Sequence, residues 1–413
     1  MHQKKDVLTF ILSGGAGQRL YPLTKNRAKP AVSFGGIYRI IDFTLSNCVN
    51  SGMMRIYVLT QHKSISLNRH LREAWQIFRS EFGEFLDTVP PQQFIVSRWY
   101  AGTADAIFQN IHLLEEERPK YVLILSGDHV YKMDYRVLLD WHISKDADLT
   151  IACIDVERSE APRYGVVEVN DDFRIVGFSE KPRNPKPMPN NPQRCLVSMG
   201  VYVFRTETLV RAVIRDAKRD SEHDFGKNII PDLIAYANVF AFPVRECMPE
   251  SMHYWRDIGT VDSYYDAQME LLHPSPPFDL FDQSWRIRAH IGQQAPTLIS
   301  GSKCRIESSL LSPGVVIDDA VVIRSVISHG VQIRCGATVK DSVLLPGVVV
   351  GENASLQRTI VDEGVTIPAD TVIGVDLERD SKQFFVTKNG VVVVPTGVVA
   401  FEQQHVQAMK VQW

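Results

Sequence analysis

The apolar and polar positions of the chain fall into two textures. From Val7 to about Leu272, short apolar runs alternate with segments of helical period. VLTFIL (from Val7), RIYVLT (Arg55 to Thr60), YVLILSGD (Tyr121 to Asp128) and LTIACIDV (Leu149 to Val156) read as buried strands. Between them, IDFTLSNCVNSG and SISLNRHLREAW read as amphipathic helices, the first closing near Gly52 as helix C-termini commonly do. Strands alternating with helices predict an α/β fold with a mostly parallel sheet and helices on both faces. Such sheets bind ligands beyond the carboxyl ends of their strands. Gly14 to Gly17 and Gly127-Asp128 both fall at that edge.

The second texture begins after HPSPPFDLFDQSW (His273 to Trp285), whose clustered prolines read as an interdomain linker. SLLSPGVVI, SVISHGVQI, SVLLPGVVV and TIVDEGVTI follow, with glycines at Gly314, Gly330, Gly347 and Gly364, spaced 16, 17 and 17 residues apart. Ala320, Ala337 and Ala354 mark the next corner of each unit. A period near 17 built of short Ile/Val faces predicts a parallel β-helix, one coil per repeat. The expected division is therefore a domain over 1–272, a linker over 273–289, a β-helix over 290–395 and a tail over 396–413.

Composition narrows the function classes. A hydrophobic content of 45%, charged residues at 23% and a formal charge of −3 describe an ordinary globular protein with no whole-chain signal for nucleic acid or membrane. Six scattered cysteines without a CxxC argue against a zinc site or a disulfide framework. The stretch MHQKKDVLTFILSGG leaves no room for a signal-peptide core before its glycines, so a cytoplasmic protein is expected.

The densest chemistry lies in LSGGAGQRLYPLTKNRAKP (Leu12 to Pro30), where three glycines leave a strand and four cations follow. A Walker loop needs Gly-Lys-Ser or Gly-Lys-Thr, but Gln18 follows Gly17. A dinucleotide fingerprint needs a third glycine where Leu20 stands. A nucleotidyltransferase loop fits: glycines let backbone amides approach a nucleotide, and cations on the same loop meet its phosphates. A plain strand-to-helix turn with solvated cations is the alternative.

GGAGQRLYPLT and RAKPAV closely resemble the signature of sugar-nucleotide pyrophosphorylases. FGGIYRIIDFTLSNCVNSG (Phe34 to Gly52) narrows the resemblance to bacterial glucose-1-phosphate adenylyltransferases, also called ADP-glucose pyrophosphorylases. WYAGTADAIFQN, LSGDHVYKMDY, FSEKP, SMGVYVF, HDFGKNIIP and YWRDIGT agree with it. The resemblance implies a Rossmann-like nucleotidyltransferase domain followed by a left-handed parallel β-helix. It implies adenylyl transfer from ATP to α-D-glucose 1-phosphate, Mg²⁺ dependence, a role in glycogen synthesis and homotetramers. It implies no nucleic-acid or membrane partner.

Residue by residue, the resemblance assigns Gly14, Gly15, Gly17 and Gly102 to the nucleotide, and Arg19 and Lys29 to its phosphates. Asp128 and Asp257 are to hold Mg²⁺. Lys181 is to meet the sugar phosphate, Glu180 to accept sugar hydroxyls, and Gly165, Ser198 and Tyr100 to line that site. His223 and Asp224 could order its sugar side. Simpler roles compete: Asp128 as a turn residue, Asp257 as a helix N-cap, Asp224 as a helix-start residue, Tyr100 as packing and Glu180-Lys181 as a solvated pair.

Arg27, Arg39, Gln61 and Trp99 are expected in regulation, because the family binds anionic effectors between its domains. Here the enteric-type pattern is thinned. Asn26 stands where that pattern has Lys, Ser33 where it has His, and SKQFFVTKNG (Ser381 to Gly390) is poorer in Arg. Weak or altered activation is the expectation. Two further alternatives stay open: the same chemistry with another nucleoside triphosphate, and a non-catalytic regulatory subunit of the same fold.

Overall fold

The computed structural model describes residues 6–91, 99–189 and 191–397. Most of the expected tail, from 398 onward, lies outside the described residues. The chain forms two compact units that do not follow chain order. Among the described residues, one gathers those of 6–16, 43–255 and 283–287; the other gathers those of 17–42, 256–282 and 288–397.

The first unit is built on a nine-stranded sheet. Its strands are β1 (Val7–Ser13), β2 (Arg55–Thr60), β3 (Phe85–Val89), β4 (Tyr121–Ser126), β5 (Leu149–Glu157), β6 (Gly165–Val169), β7 (Ile175–Glu180), β8 (Arg194–Arg205) and β9 (Val239–Pro243). Their order is β7-β6-β8-β4-β1-β2-β3, with β5 also on β8 and β9 on β5. The expected parallel pairing holds for β4-β1-β2-β3 and for β5-β9. The rest is antiparallel, β8 against β4, β5 and β6, and β7 against β6, so the sheet is mixed. The link from Val169 to Ile175 is too short for a parallel crossover and permits only a hairpin.

Buried Leu8, Phe10, Ile124, Ile151 and Phe204 form the centre of the core. Helices α1 (Ile40–Ser51), α2 (Ile65–Ala74), α3 (Thr103–Gln109), α4 (Ile111–Glu117), α5 (Tyr135–Ser144) and α6 (Thr206–Ala217) connect the strands. Leu209, Ala212 and Val213 supply the buried stripe of α6 at the spacing that puts them on one face. Strand β1 has β2 on one side and β4 on the other, so the chain leaves it in one direction and later crosses to the other. That is a switch point, and the carboxyl end of β1 opens into the Gly14-Gly15 loop. The end of the proline-rich stretch is anchored here: Trp285 is buried and its indole N–H donates to Asn47 Oδ1 at 2.8 Å.

The second unit contains the repeats. They form three faces of short parallel strands, the first running Leu298–Ser300, Val316–Asp318, Gln332–Ile333, Val349–Val350 and Thr366–Ile367. This is a parallel β-helix with Ile317, Val322, Ile333, Val339, Val350 and Leu356 in its interior. The repeat glycines all have left-handed backbone, φ 68–77°, which explains their period. A hydroxyl ladder descends one corner. Ser309, Ser325 and Ser342 each accept a hydrogen bond from the backbone N–H one coil on, at 3.1–3.2 Å, and donate to the carbonyl two residues back.

Segments 17–42 and 256–282 belong to this same unit. Helix α7 (Val261–Glu270) carries the contacts: Tyr264 Oη donates to Ser33 O at 2.6 Å, Gln268 Oε1 accepts from Gly35 N, and Tyr265 Oη donates to Asp341 O.

Candidate active site

In the first unit, the end of β1 delivers Gly14 and Gly15. Gly15 has open space where a side chain would stand, as a ligand-facing loop requires. A Cβ on Gly14 would come 3.2 Å from Gln61 Cβ, because Gln61 follows the neighbouring strand β2. Gln61 Nε2 also donates to Tyr100 O at 3.4 Å. Gln61 therefore sits beside the glycine loop. Trp99 stacks on His62, ring centroids 5.2 Å apart, so the two expected regulatory residues of this unit stand on adjoining positions.

The Tyr100 hydroxyl accepts from Asn110 Nδ2 at 2.9 Å, and burial pushes its pKa up, which keeps the phenol neutral. At Gly102 the fold itself demands a glycine. A Cβ there would lie 2.3 Å from the carbonyl oxygens of Glu222 and His223, so the protein's own backbone requires the glycine. The same His223 carbonyl accepts from Ala104 N at the start of α3. Asp128 follows β4; its carboxylate accepts from the Ser126 hydroxyl, and His129 Nε2 lies 3.6 Å from its Oδ1.

The sugar-side residues share a row of strands. Glu180 at the end of β7 is paired in register with Gly165 at the start of β6. Val197 of β8 faces Val166 of β6, which brings Ser198 to the same row. The β8 ladder is irregular between Ser198 and Tyr202, where Gly200 has φ 69°, and Ser198 Oγ accepts from Gly200 N. Lys181 takes left-handed backbone, φ 48°, uncommon for a residue with a Cβ. Its N–H donates to Tyr164 O, and its ammonium pairs with the Glu180 carboxylate. Lys181 is 55% exposed and Glu180 19%, so the cation faces outward over a mostly enclosed carboxylate.

Asp224 is a helix-start residue, the simpler of its two expected roles. Its Oδ1 accepts from Gly226 N and Lys227 N, while Oδ2 accepts from Thr103 Oγ1. His223 Nδ1 is 2.8 Å from Asp216 Oδ2, which fixes its ring.

The second unit holds the cationic part of the loop. Gly17 has φ 62°, and its carbonyl accepts from Thr24 Oγ1 at 2.9 Å, folding the loop back on itself. Lys29 is buried, and its Nζ lies 3.3 Å from Asp257 Oδ1. A Cβ on Gly259 would be 3.2 Å from Asp257 Oδ2 and 3.3 Å from Arg19 Nη2, so Arg19, Lys29 and Asp257 converge around Gly259. Asp257 is not the cap of α7. Thr260 is, in a reciprocal capping box with Ser263.

Arg27 and Arg39 form a separate cluster. Arg27 is 7% exposed and pairs with Asp362 at 2.9 Å and Glu363 at 2.7 Å. Glu363 Oε1 also accepts from Ser33 Oγ at 2.7 Å and lies 3.4 Å from Arg39 Nη1. Burial pushes the Asp362 carboxyl above its ordinary range, with Arg27 opposing. Sequence reading missed both acids. They are separated from Arg27 by more than three hundred positions and look like a repeat corner, TIVDEGVTI.

Comparison with known proteins agrees with this layout. A nucleotidyl transferase family model matches residues 8–273, and a GlmU-like C-terminal hexapeptide model, of the left-handed β-helix kind, matches 297–394. The chain is 48% identical over 404 residues to glucose-1-phosphate adenylyltransferase 2 of Vibrio cholerae, covering 95% of this chain and 98% of that protein. It is 47% identical to glucose-1-phosphate adenylyltransferase of Rhodopirellula baltica, covering 95% and 90%, and 45% identical to that of Methylococcus capsulatus, covering 94% and 93%. Matches of this extent cover both the nucleotidyl transferase region and the repeats, and the chain belongs to the glucose-1-phosphate adenylyltransferase family of nucleotidyl transferases.

Proposed function

We propose that the protein transfers the adenylyl group of ATP to α-D-glucose 1-phosphate, releasing pyrophosphate and forming ADP-glucose for glycogen-type glucan synthesis. A phosphate oxygen of the sugar attacks the α-phosphorus, and the bond to the bridging oxygen of pyrophosphate breaks. The attacking phosphate is already largely dianionic at neutral pH, so no general base is needed. The obstacle is charge, two polyanions meeting and a third leaving, and it calls for cations and positioning.

The convergence of Arg19, Lys29 and Asp257 around Gly259 carries this reading. The Arg19 fork and the Lys29 point charge suit the leaving phosphates. Asp128 and Asp257 are the carboxylates that would hold Mg²⁺, whose oxygen preference they fit and which would neutralise charge on the departing group. Lys181 binds the sugar phosphate, and Glu180, seated against Gly165 and near Ser198, accepts hydroxyls of the sugar. Gly14 and Gly15 bring backbone amides to the nucleotide.

A protein using these substrates works in the cytoplasm, and the β-helix serves regulation and homotetramer assembly. Among the described residues no helix is long and apolar enough to cross a membrane. The pairing of Arg27 and Arg39 with Asp362 and Glu363 supports altered or weak activation by anionic effectors, since carboxylates of the chain already meet these guanidinium groups. Turnover with a panel of sugar phosphates tests this, and strong activation by fructose 1,6-bisphosphate contradicts it. Release of pyrophosphate from ATP only when glucose 1-phosphate is present tests the reaction itself.

A further inference from the structure

We infer that Gly226 is a positioning residue for the sugar: with Gly165 it forms a side-chain-free slot that fixes the Glu180 carboxylate. This rests on the reading of Glu180 as the group that accepts sugar hydroxyls. A Cβ on Gly226 would lie 2.7 Å from Glu180 Oε2, and a Cβ on Gly165 would lie 2.9 Å from the same oxygen. Both distances are closer than real Cβ contacts allow, so the carboxylate stands where any larger residue would intrude.

Gly226 itself cannot yield. Phe225 before it is buried with its ring 5.7 Å from both Tyr202 and Phe204. Asp224 Oδ1 accepts from the Gly226 N–H at 2.9 Å and the Lys227 N–H at 3.2 Å. The backbone is thus pinned on both sides, and a methyl group there must displace the far end of Glu180. Glu180 is the part that gives way, since it is the far end of a flexible side chain tied by its other oxygen to the outward-facing Lys181.

The two glycines therefore differ in what they would cost. A methyl group on Gly165 would also meet the Phe178 ring, 2.4 Å from Cζ, and would disturb packing. Gly226 adopts no left-handed backbone and begins a helical stretch, Phe225–Ile229, so alanine there is compatible with the local fold. Its effect falls on the placement of Glu180.

The test is a cycle of Gly226→Ala and Glu180→Ala, assayed with glucose 1-phosphate and ATP alongside thermal unfolding. One misplaced charged acceptor predicts that KM for glucose 1-phosphate rises about tenfold or more in Gly226→Ala, while KM for ATP and the melting temperature stay near the parent's. In the Glu180→Ala background the same substitution should add no further loss, because nothing remains to displace. An unchanged KM in Gly226→Ala, or an equal loss in both backgrounds, overturns the slot. If the parent does not turn over glucose 1-phosphate, the proposed function fails instead. Crystal structures of parent and Gly226→Ala then decide the slot, by a displaced or an unmoved Glu180 carboxylate.

Discussion

Lys29 Nζ stands 3.3 Å from Asp257 Oδ1, joining the loop after the first strand to a residue more than two hundred positions away. The lysine is buried while Arg19 on the same loop is exposed. One cation is held in place by a carboxylate and the other is free to follow a phosphate. Lys29→Ala should lower kcat by about a hundredfold or more, the size expected when a preorganised charge at a leaving group is removed. Steady-state kinetics checks this, and a loss confined to KM for ATP would make Lys29 a binding residue only.

The Arg27–Asp362 pair predicts a stability effect. Asp362 is 2% exposed, so Asp362→Ala leaves a buried guanidinium that among the described residues pairs with the half-buried Glu363. Breaking a buried pair from one side costs about 3–5 kcal/mol, and part of that should remain here. Denaturant unfolding measures it. Glu363→Gln should be milder in stability but should strengthen the response to added phosphate or sugar bisphosphate, because one competing carboxylate is gone.

The corner ladder predicts a loss without a catalytic consequence. Ser342 Oγ is buried between the Thr359 N–H and the Lys340 carbonyl. Ser342→Ala strands the Thr359 N–H, while the Lys340 carbonyl keeps the Arg358 N–H, and should cost about 1–3 kcal/mol. The melting temperature should fall while kcat and both KM values hold.

His142 predicts an acid limb. It is buried with Nδ1 2.8 Å from Thr150 Oγ1, and burial first, then Arg205, lowers its pKa from 6.5 to about 4. The folded state keeps the ring neutral where the unfolded chain would protonate it. This contribution is complete above pH 6.5, shrinks as pH falls, and is gone below about 4. The change amounts to about 3 kcal/mol. Urea unfolding across that window should be less pH-dependent in His142→Asn than in the parent.

These residues also show how far the sequence could be read. The repeat glycines announced the β-helix because each coil needs left-handed backbone at the same corner, and that need recurs in register. The β1, β2 and β4 runs announced their parallel pairing because strands buried on both faces are apolar throughout. The antiparallel β6–β8 region was not legible, since pairing direction depends on connection geometry and leaves no mark on composition. Gly102 looked like a ligand glycine, and nothing in the sequence showed that the backbone at Glu222 and His223, a contact made across the fold, also demands one there. The resemblance already divided the loop cations, Arg19 and Lys29 to the phosphates and Arg27 to regulation. Their carboxylate partners, Asp257 for Lys29 and Asp362 and Glu363 for Arg27, were not legible because all three are remote in sequence.

The central claim is tested most directly by pyrophosphate release from the purified protein with Mg²⁺, glucose 1-phosphate and each nucleoside triphosphate in turn. Release with ATP, dependent on glucose 1-phosphate and abolished or nearly so in Asp128→Asn, is the predicted result. No release with ATP, or equal release in Asp128→Asn, would contradict it.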